Sequence, residues 1–199
     1  MDALSKLADK YRTDKGLWHH GYTPIYNRYF EHLRDKPVKL LEIGIGGYQY
    51  PDKGGESLRM WGEYFANGIV TGMDIYPKHL KNLPQNANVI CGNQTDTLFL
   101  SKLPTGYNII IDDGSHVCRH VITSFMALFH THLAPGGVYV VEDTETSYWA
   151  VEYGGGIHPD TTMNFFKALA DNLNPASGKE DVGIESIHFH KGLIFIFKK

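Results

Sequence analysis

The chain has 199 residues, 42% hydrophobic and 21% charged, a balance that suits one globular domain with a sizeable core. Its 19 Lys and Arg stand against 22 Asp and Glu, and a net charge of −3 offers no electrostatic footprint for nucleic acid or an anionic membrane. No apolar run approaches the roughly 20 residues that span a bilayer, and the opening MDALSKLADK lacks the apolar core of a secretory signal. A single cytoplasmic domain over 1–199 is therefore expected. Cys91 and Cys118 have neither disulfide nor metal-knuckle spacing, and both read as inert core thiols.

Leu4, Leu7, Ala8 and Tyr11 recur at helical spacing and predict a short amphipathic helix over 2–11. The segment from Thr13 to Pro24, TDKGLWHHGYTP, is turn-rich, aromatic and polar. It reads equally as a binding lid or as a connector, since functional groups concentrate on loops. A second helix follows over 24–33, with Ile25, Tyr29, Phe30 and Leu33 on one face. KLLEIGIGG, from Lys39 to Gly47, reads as a buried strand ending in a glycine turn. Glycines there let the backbone turn tightly and approach a ligand. The turn is not the dinucleotide fingerprint, because position 49 holds Gln49 where the third glycine would stand. A helix over 56–65 then faces Leu58, Trp61 and Phe65 inward.

The next strand, IVTGMDIY, carries Asp74 at its carboxyl end. A carboxylate at that place suits the two hydroxyls of a ribose, although it also suits a helix cap. ANVICGNQTD ends in Asn93 and Gln94, amides able to read an adenine edge or to form a turn. YNIIIDDGSH is a continuous apolar run breaking into Asp112, Asp113 and His116, and open α/β sheets bind ligands beyond such strand ends. A helix over 116–133 follows, with Val117, Val121, Phe125, Leu128 and Phe129 toward the sheet. After an APGG turn, VYVVEDTETSYW forms a fifth strand ending in Glu142 and Asp143. Residues 144–160 make a glycine-rich aromatic loop, and a helix over 160–173 and a polar connector come next. IESIHFH and LIFIFKK close the chain as a β-hairpin. Strand and helix alternating in this way predict an α/β fold, a doubly wound and mostly parallel seven-stranded sheet with a C-terminal antiparallel hairpin.

LLEIGIGGY, GGESLRMWGEYF, GMDIY, IIIDDGSH, HVITSF and LAPGGVYVVEDTETSYW, taken together, resemble the class I S-adenosylmethionine methyltransferases. More narrowly they resemble the metal-dependent sugar O-methyltransferases, whose members act on macrolide deoxysugars or on methylmannose polysaccharides. The likeness implies a Rossmann-like core over 36–199, preceded over 1–35 by helices and an active-site lid. It implies S-adenosyl-L-methionine as methyl donor, S-adenosyl-L-homocysteine as product, and magnesium.

Carboxylates at two neighbouring strand ends can converge on one hard cation, because parallel strands lie roughly 4.8 Å apart. Asp113, Glu142 and Asp143 form the oxygen set that magnesium prefers. His116 is the natural general base, since imidazole is the side chain that ordinarily titrates nearest neutrality. Glu42, Gly44 and Gly46 are expected at the amino acid end of the methyl donor, Asp74 at its ribose, Asn93 or Gln94 at its adenine, and Asp112 beside them. Tyr22, Tyr148, Trp149 and Tyr153 are candidates for the acceptor sugar. A zinc site on His116 and His120 lacks a third nitrogen or sulfur ligand. A small saccharide is the expected partner, with a homo-oligomer completing its pocket. Methylation of a catechol or other vicinal diol is the alternative, ahead of an NAD-dependent oxidoreductase or epimerase.

Overall fold

The computed structural model describes residues 1–149, 151–156, 159–174 and 181–199. The chain divides into two compact units, Met1–Gly92 and Asn93–Lys199.

The first unit begins with helix α1, Ala3–Tyr11. Asp2 caps it by accepting the Ser5 amide at 2.8 Å, and Arg12 ends it in the left-handed region at φ 56°. Helix α2, Thr23–Phe30, starts with Pro24 in its first turn, where a missing N–H is harmless, and runs into a 3₁₀ turn, Glu31–Leu33. Its buried face is Thr23, Tyr26 and Phe30. The expected face of Ile25, Tyr29 and Leu33 is displaced by one residue because Tyr26 packs edge-on to Trp61, with ring centroids 5.2 Å apart. Strand β1, Lys39–Ile43, helix α3, Glu56–Tyr64, and strands β2, Ile69–Asp74, and β3, Ala87–Cys91, complete the unit. The three strands are parallel in the order β3-β2-β1, and register pairs Glu42 with Gly72 and Asp74 with Cys91. Leu58, Trp61 and Phe65 are fully buried as expected. Cys91 is exposed rather than in the core, because β3 has one strand neighbour in this unit.

The second unit opens with a one-turn helix, α4, Thr97–Leu100, which the sequence pattern did not indicate. Strand β4, Tyr107–Asp112, helix α5, Cys118–Leu128, and strand β5, Leu133–Glu142, follow. The predicted helix over 116–133 thus begins two residues late, and His116 lies in the turn before it. The APGG turn is absorbed into β5. Beyond β5 the expected loop contains two 3₁₀ turns, Thr144–Tyr148 and Val151–Tyr153. Helix α6, Thr162–Asp171, is capped by the Thr161 hydroxyl. Strands β6, Ile184–His190, and β7, Leu193–Lys198, form the hairpin. The order is β4-β5-β7-β6, with β7 antiparallel to both neighbours. The connector NPASGKED lies largely outside the described residues. Among the described residues, seven strands, six of them running one way within their units, and flanking helices make an α/β fold, and no described helix is long and apolar enough to cross a membrane.

Candidate active site

In the first unit the chemistry gathers at the carboxyl ends of β1 and β2. Gly44, Gly46 and Gly47 all adopt positive φ, which glycine alone reaches without a steric cost. At Gly47 a Cβ would stand 2.2 Å from the Lys53 carbonyl oxygen, so the turn admits no side chain there. Asp74, 8% exposed, stitches this turn to the strand end. Its Oδ2 accepts the Ile45 amide at 3.3 Å and its Oδ1 accepts the Tyr76 amide at 2.9 Å. An ionised carboxylate has about four acceptor positions. Capacity for the hydroxyls of a ribose therefore remains.

Glu42 differs from the expectation of direct ligand contact. It has no exposed surface, and its carboxylate accepts the Ser57 hydroxyl at 2.7 Å and the Trp61 indole N–H at 3.2 Å. The Lys15 ammonium, itself 1% exposed, lies 3.5 Å away. A buried carboxylate is tolerated only when charge and hydrogen bonds compensate its lost hydration, and these three donors do so. The same pairing pins the segment after α1 to the core. Tyr22 and Thr23 donate their amides to the Lys15 carbonyl at 3.0 and 3.1 Å. Tyr22 is 3% exposed and stacks on His20, which makes it part of the first unit's interior rather than an open acceptor surface. Leu17 and Trp18 remain largely exposed.

The second unit carries the reactive groups at the ends of β4 and β5. Adjacent residues of a strand face opposite ways, and the pair Asp112 and Asp113 divides accordingly. Asp112 turns inward, 1% exposed. It accepts the Ser124 hydroxyl, the Tyr139 phenol at 3.1 Å and the Gln94 amide at 3.1 Å. Burial pushes its carboxyl pKa up, and these hydrogen bonds oppose the rise only in part. Burial and Asp112 likewise hold the Tyr139 phenol well above its usual range. Gln94, 7% exposed, uses its other end to accept the Ser115 amide at 2.8 Å. A Cβ at Gly114 would stand 2.2 Å from Gln94 Oε1, so a side chain there would push the Gln94 amide aside. Asp112 and Gln94, expected at the methyl donor, thus form an internal brace for the turn 113–116. Asn93 turns on itself, accepting the Thr95 amide at 2.9 Å.

Asp113, His116 and Asp143 are brought together. Each contributes a potential ligand atom within 4.8 Å of the other two, and all three are partly exposed. The His116 Nε2 lies 3.7 Å from an Asp143 oxygen. His116 and Asp143 both hold left-handed backbone, at φ 57° and 52°. Such strain in non-glycine residues persists only where surrounding contacts enforce it, and it collects at functional sites. Glu142, expected as a ligand, is 3% exposed and stands outside this group among the described residues. As neighbours, Glu142 and Asp143 divide in the way Asp112 and Asp113 do. His120 does not build a zinc site with His116. Its Nδ1 pairs with the Ser115 hydroxyl at 2.8 Å, and burial lowers its pKa. Tyr148 and Trp149 are 62% and 50% exposed, with Tyr153 edge-on to Trp149 at 5.6 Å. Lys15, Ser124, Tyr139 and Thr146 are the residues that residue-by-residue reading gave no role. Only Lys15 carried a signal, as a charge inside an aromatic loop.

No protein-family model matches the chain. Demethylmacrocin O-methyltransferase of Streptomyces fradiae is 41% identical over 98% of this chain and 53% of its own length. The 8-demethyl-8-alpha-L-rhamnosyl tetracenomycin-C 2'-O-methyltransferase of Streptomyces olivaceus is 40% identical over 100% of this chain and 55% of its own length. Among solved structures, the MycE methyltransferase from the mycinamycin biosynthetic pathway, in complex with Mg, SAH and mycinamycin VI, matches with a TM-score of 0.89. It is 39% identical and covers 99% of this chain and 54% of that one. The chain spans about half the length of these relatives. Sequence and fold agree: over nearly its whole length the chain is similar to one half of these O-methyltransferases.

Proposed function

We propose that the protein moves a methyl group from S-adenosyl-L-methionine to a hydroxyl of a small saccharide, assisted by magnesium, in the cytoplasm. The observation that carries this reading is the convergence of Asp113, His116 and Asp143 at two strand ends. A relative at 40% identity is named as the 2'-O-methyltransferase of a rhamnosyl tetracenomycin, which supports a saccharide as acceptor.

The residues present fit both groups. Asp113 and Asp143 offer the hard oxygen donors that magnesium selects, and two carboxylates leave positions for other oxygens. The ion would hold adjacent sugar oxygens and lower the pKa of one of them. His116, with its imidazole beside both carboxylates, takes the proton of the attacking hydroxyl. Asp113 and Asp143 lie beside that imidazole, with Asp143 3.7 Å from its Nε2. In the first unit, the turn through Gly44 and Gly46 receives the amino acid end of the methyl donor, with Asp74 tied to that turn through the Ile45 amide. Asp74 takes the ribose hydroxyls on its remaining acceptor positions. Asn93 and the surface after β3 take the adenine. Tyr148, Trp149 and Tyr153 offer an aromatic surface to a sugar ring.

The test is a methyl-transfer screen with S-adenosylmethionine over deoxysugars, mannosides and catechols, with and without a chelator. Chelator-sensitive methylation of a saccharide is the expected result. Turnover of a catechol with all saccharides ignored would reassign the acceptor to vicinal diols, and binding of NAD in place of S-adenosylhomocysteine would overturn the reading.

A further inference from the structure

The residues proposed as base and as metal ligand sit on separate turns, yet both turns are strained in the same way, and one side chain touches both. Thr146 lies in the 3₁₀ turn after β5 and is 4% exposed. Its Oγ1 is 3.1 Å from the His116 carbonyl oxygen and 2.9 Å from the Asp143 carbonyl oxygen. A threonine hydroxyl has one proton to donate. The Asp143 carbonyl is already served by the Thr146 amide, at 3.1 Å. The hydroxyl proton can therefore turn to the His116 carbonyl, thirty residues away in sequence, with the Asp143 carbonyl still held by the amide. The backbone amide and the side chain of one residue therefore fasten both left-handed residues, His116 at φ 57° and Asp143 at φ 52°. On its far side the first turn is held by Gln94, through the Ser115 amide at 2.8 Å.

We propose that Thr146 is a positioning residue: its hydroxyl locks the turn that carries the base to the turn that carries a metal ligand, and so sets the spacing of His116, Asp113 and Asp143. The inference rests on the functional reading above. Outer-shell groups that orient metal ligands typically cost about 10- to 100-fold in metal affinity or activity when removed, and a displacement of about 1 Å can cost on the order of 100-fold in rate.

The experiment compares wild type, Thr146→Val and Thr146→Ser. Valine keeps the shape and loses the hydroxyl, whereas serine keeps the hydroxyl. Magnesium affinity is read by titration calorimetry without turnover, and kcat and the KM for S-adenosylmethionine are read separately. The expected result is that Thr146→Val weakens magnesium by about 10-fold or more and lowers kcat. The KM for the methyl donor stays near that of wild type, and Thr146→Ser restores both losses. A role in stability alone would lower the melting temperature of Thr146→Val and leave magnesium affinity unchanged. That outcome overturns the proposal, as does failure of serine to rescue. If Thr146→Val does not fold, Thr146→Ser against Thr146→Ala at low temperature makes the same comparison, with equal magnesium affinity in the two counting against it. Wild type is the control for the underlying reading: wild type that neither binds magnesium nor transfers methyl overturns that reading and this inference with it. Wild type that does both, beside an unaltered valine variant, overturns this inference alone.

Discussion

The two units treat their acidic residues in opposite ways. In the first, Glu42 and Asp74 are buried and hydrogen-bonded, with Lys15, Ser57 and Trp61 around the one and backbone amides on the other. The glycine turn beside them takes its unusual dihedrals from residues that bear no penalty for it. In the second, Asp113, His116 and Asp143 stay partly open to solvent, and two of the three hold left-handed backbone with side chains attached. A carboxylate satisfied inside a unit stabilises that unit and shapes what lies above it. A carboxylate that reaches solvent can meet a ligand from outside. Proximity to a strand end does not tell these apart, but burial does.

That contrast predicts that substitutions in the first unit are felt as stability and those at the open cluster as chemistry. His116→Gly should lower methyl transfer by about 10²- to 10⁴-fold, the usual contribution of a general base. It should also hold or raise the melting temperature, because glycine removes a left-handed penalty of roughly 1 kcal/mol. Steady-state kinetics beside a thermal melt checks both, and a destabilised variant that keeps full activity would erase the distinction between the units. Lys15→Met should act in reverse, costing about 3–5 kcal/mol by leaving Glu42 buried without its cation. Urea titration would read this as a shift in midpoint at unchanged slope. A midpoint equal to wild type would mean that the pair contributes nothing.

Gln94→Leu sharpens the comparison, since it strips a brace from the second unit without touching the open cluster. The Ser115 amide and Asp112 each lose a partner, at about 1–3 kcal/mol per unsatisfied group. Magnesium affinity should fall as well, because the turn 113–116 loosens. Smaller still is an alkaline effect in the first unit. Burial pushes the Tyr64 phenol up to about 12, from an ordinary value near 10. The stabilisation this represents is fully present below pH 10 and is lost as pH rises through 12, an effect on the order of 2 kcal/mol. Tyr64→Phe should flatten the loss of melting temperature over that interval, at the expense of the hydrogen bond to Asn27 at 3.1 Å. Least of all, Asp2→Ala should cost about 1 kcal/mol through loss of the α1 cap.

The strands and most helices were legible in the sequence because runs such as NIII and YVVE have one reading, as strands enclosed by apolar neighbours. Long helices with a clear face, α3 and α5, were equally plain. The face of α2 was not, because aromatic packing between Tyr26 and Trp61 outweighed its apolar periodicity. Carboxylate clusters marked both strand ends but not the direction of each side chain. In IDDGSH the two aspartates face opposite ways, and which one turns inward depends on whether Ser124 and Tyr139 wait there with hydroxyls. Neither residue stands out in a sequence, nor does Lys15 as the partner of Glu42, since 27 residues separate them. Thr146 is silent for the same reason. Its importance lies in two carbonyls that it reaches, and carbonyls have no sequence signature.

Magnesium titrated calorimetrically into the wild-type protein and into Asp113→Ala and Asp143→Ala is the most direct measurement of the central claim, that the open cluster of the second unit is a cation site. A saturable single-site isotherm in wild type, absent in both variants while their melting temperatures hold, is the predicted result. Equal binding in all three proteins, or none in wild type, would contradict it.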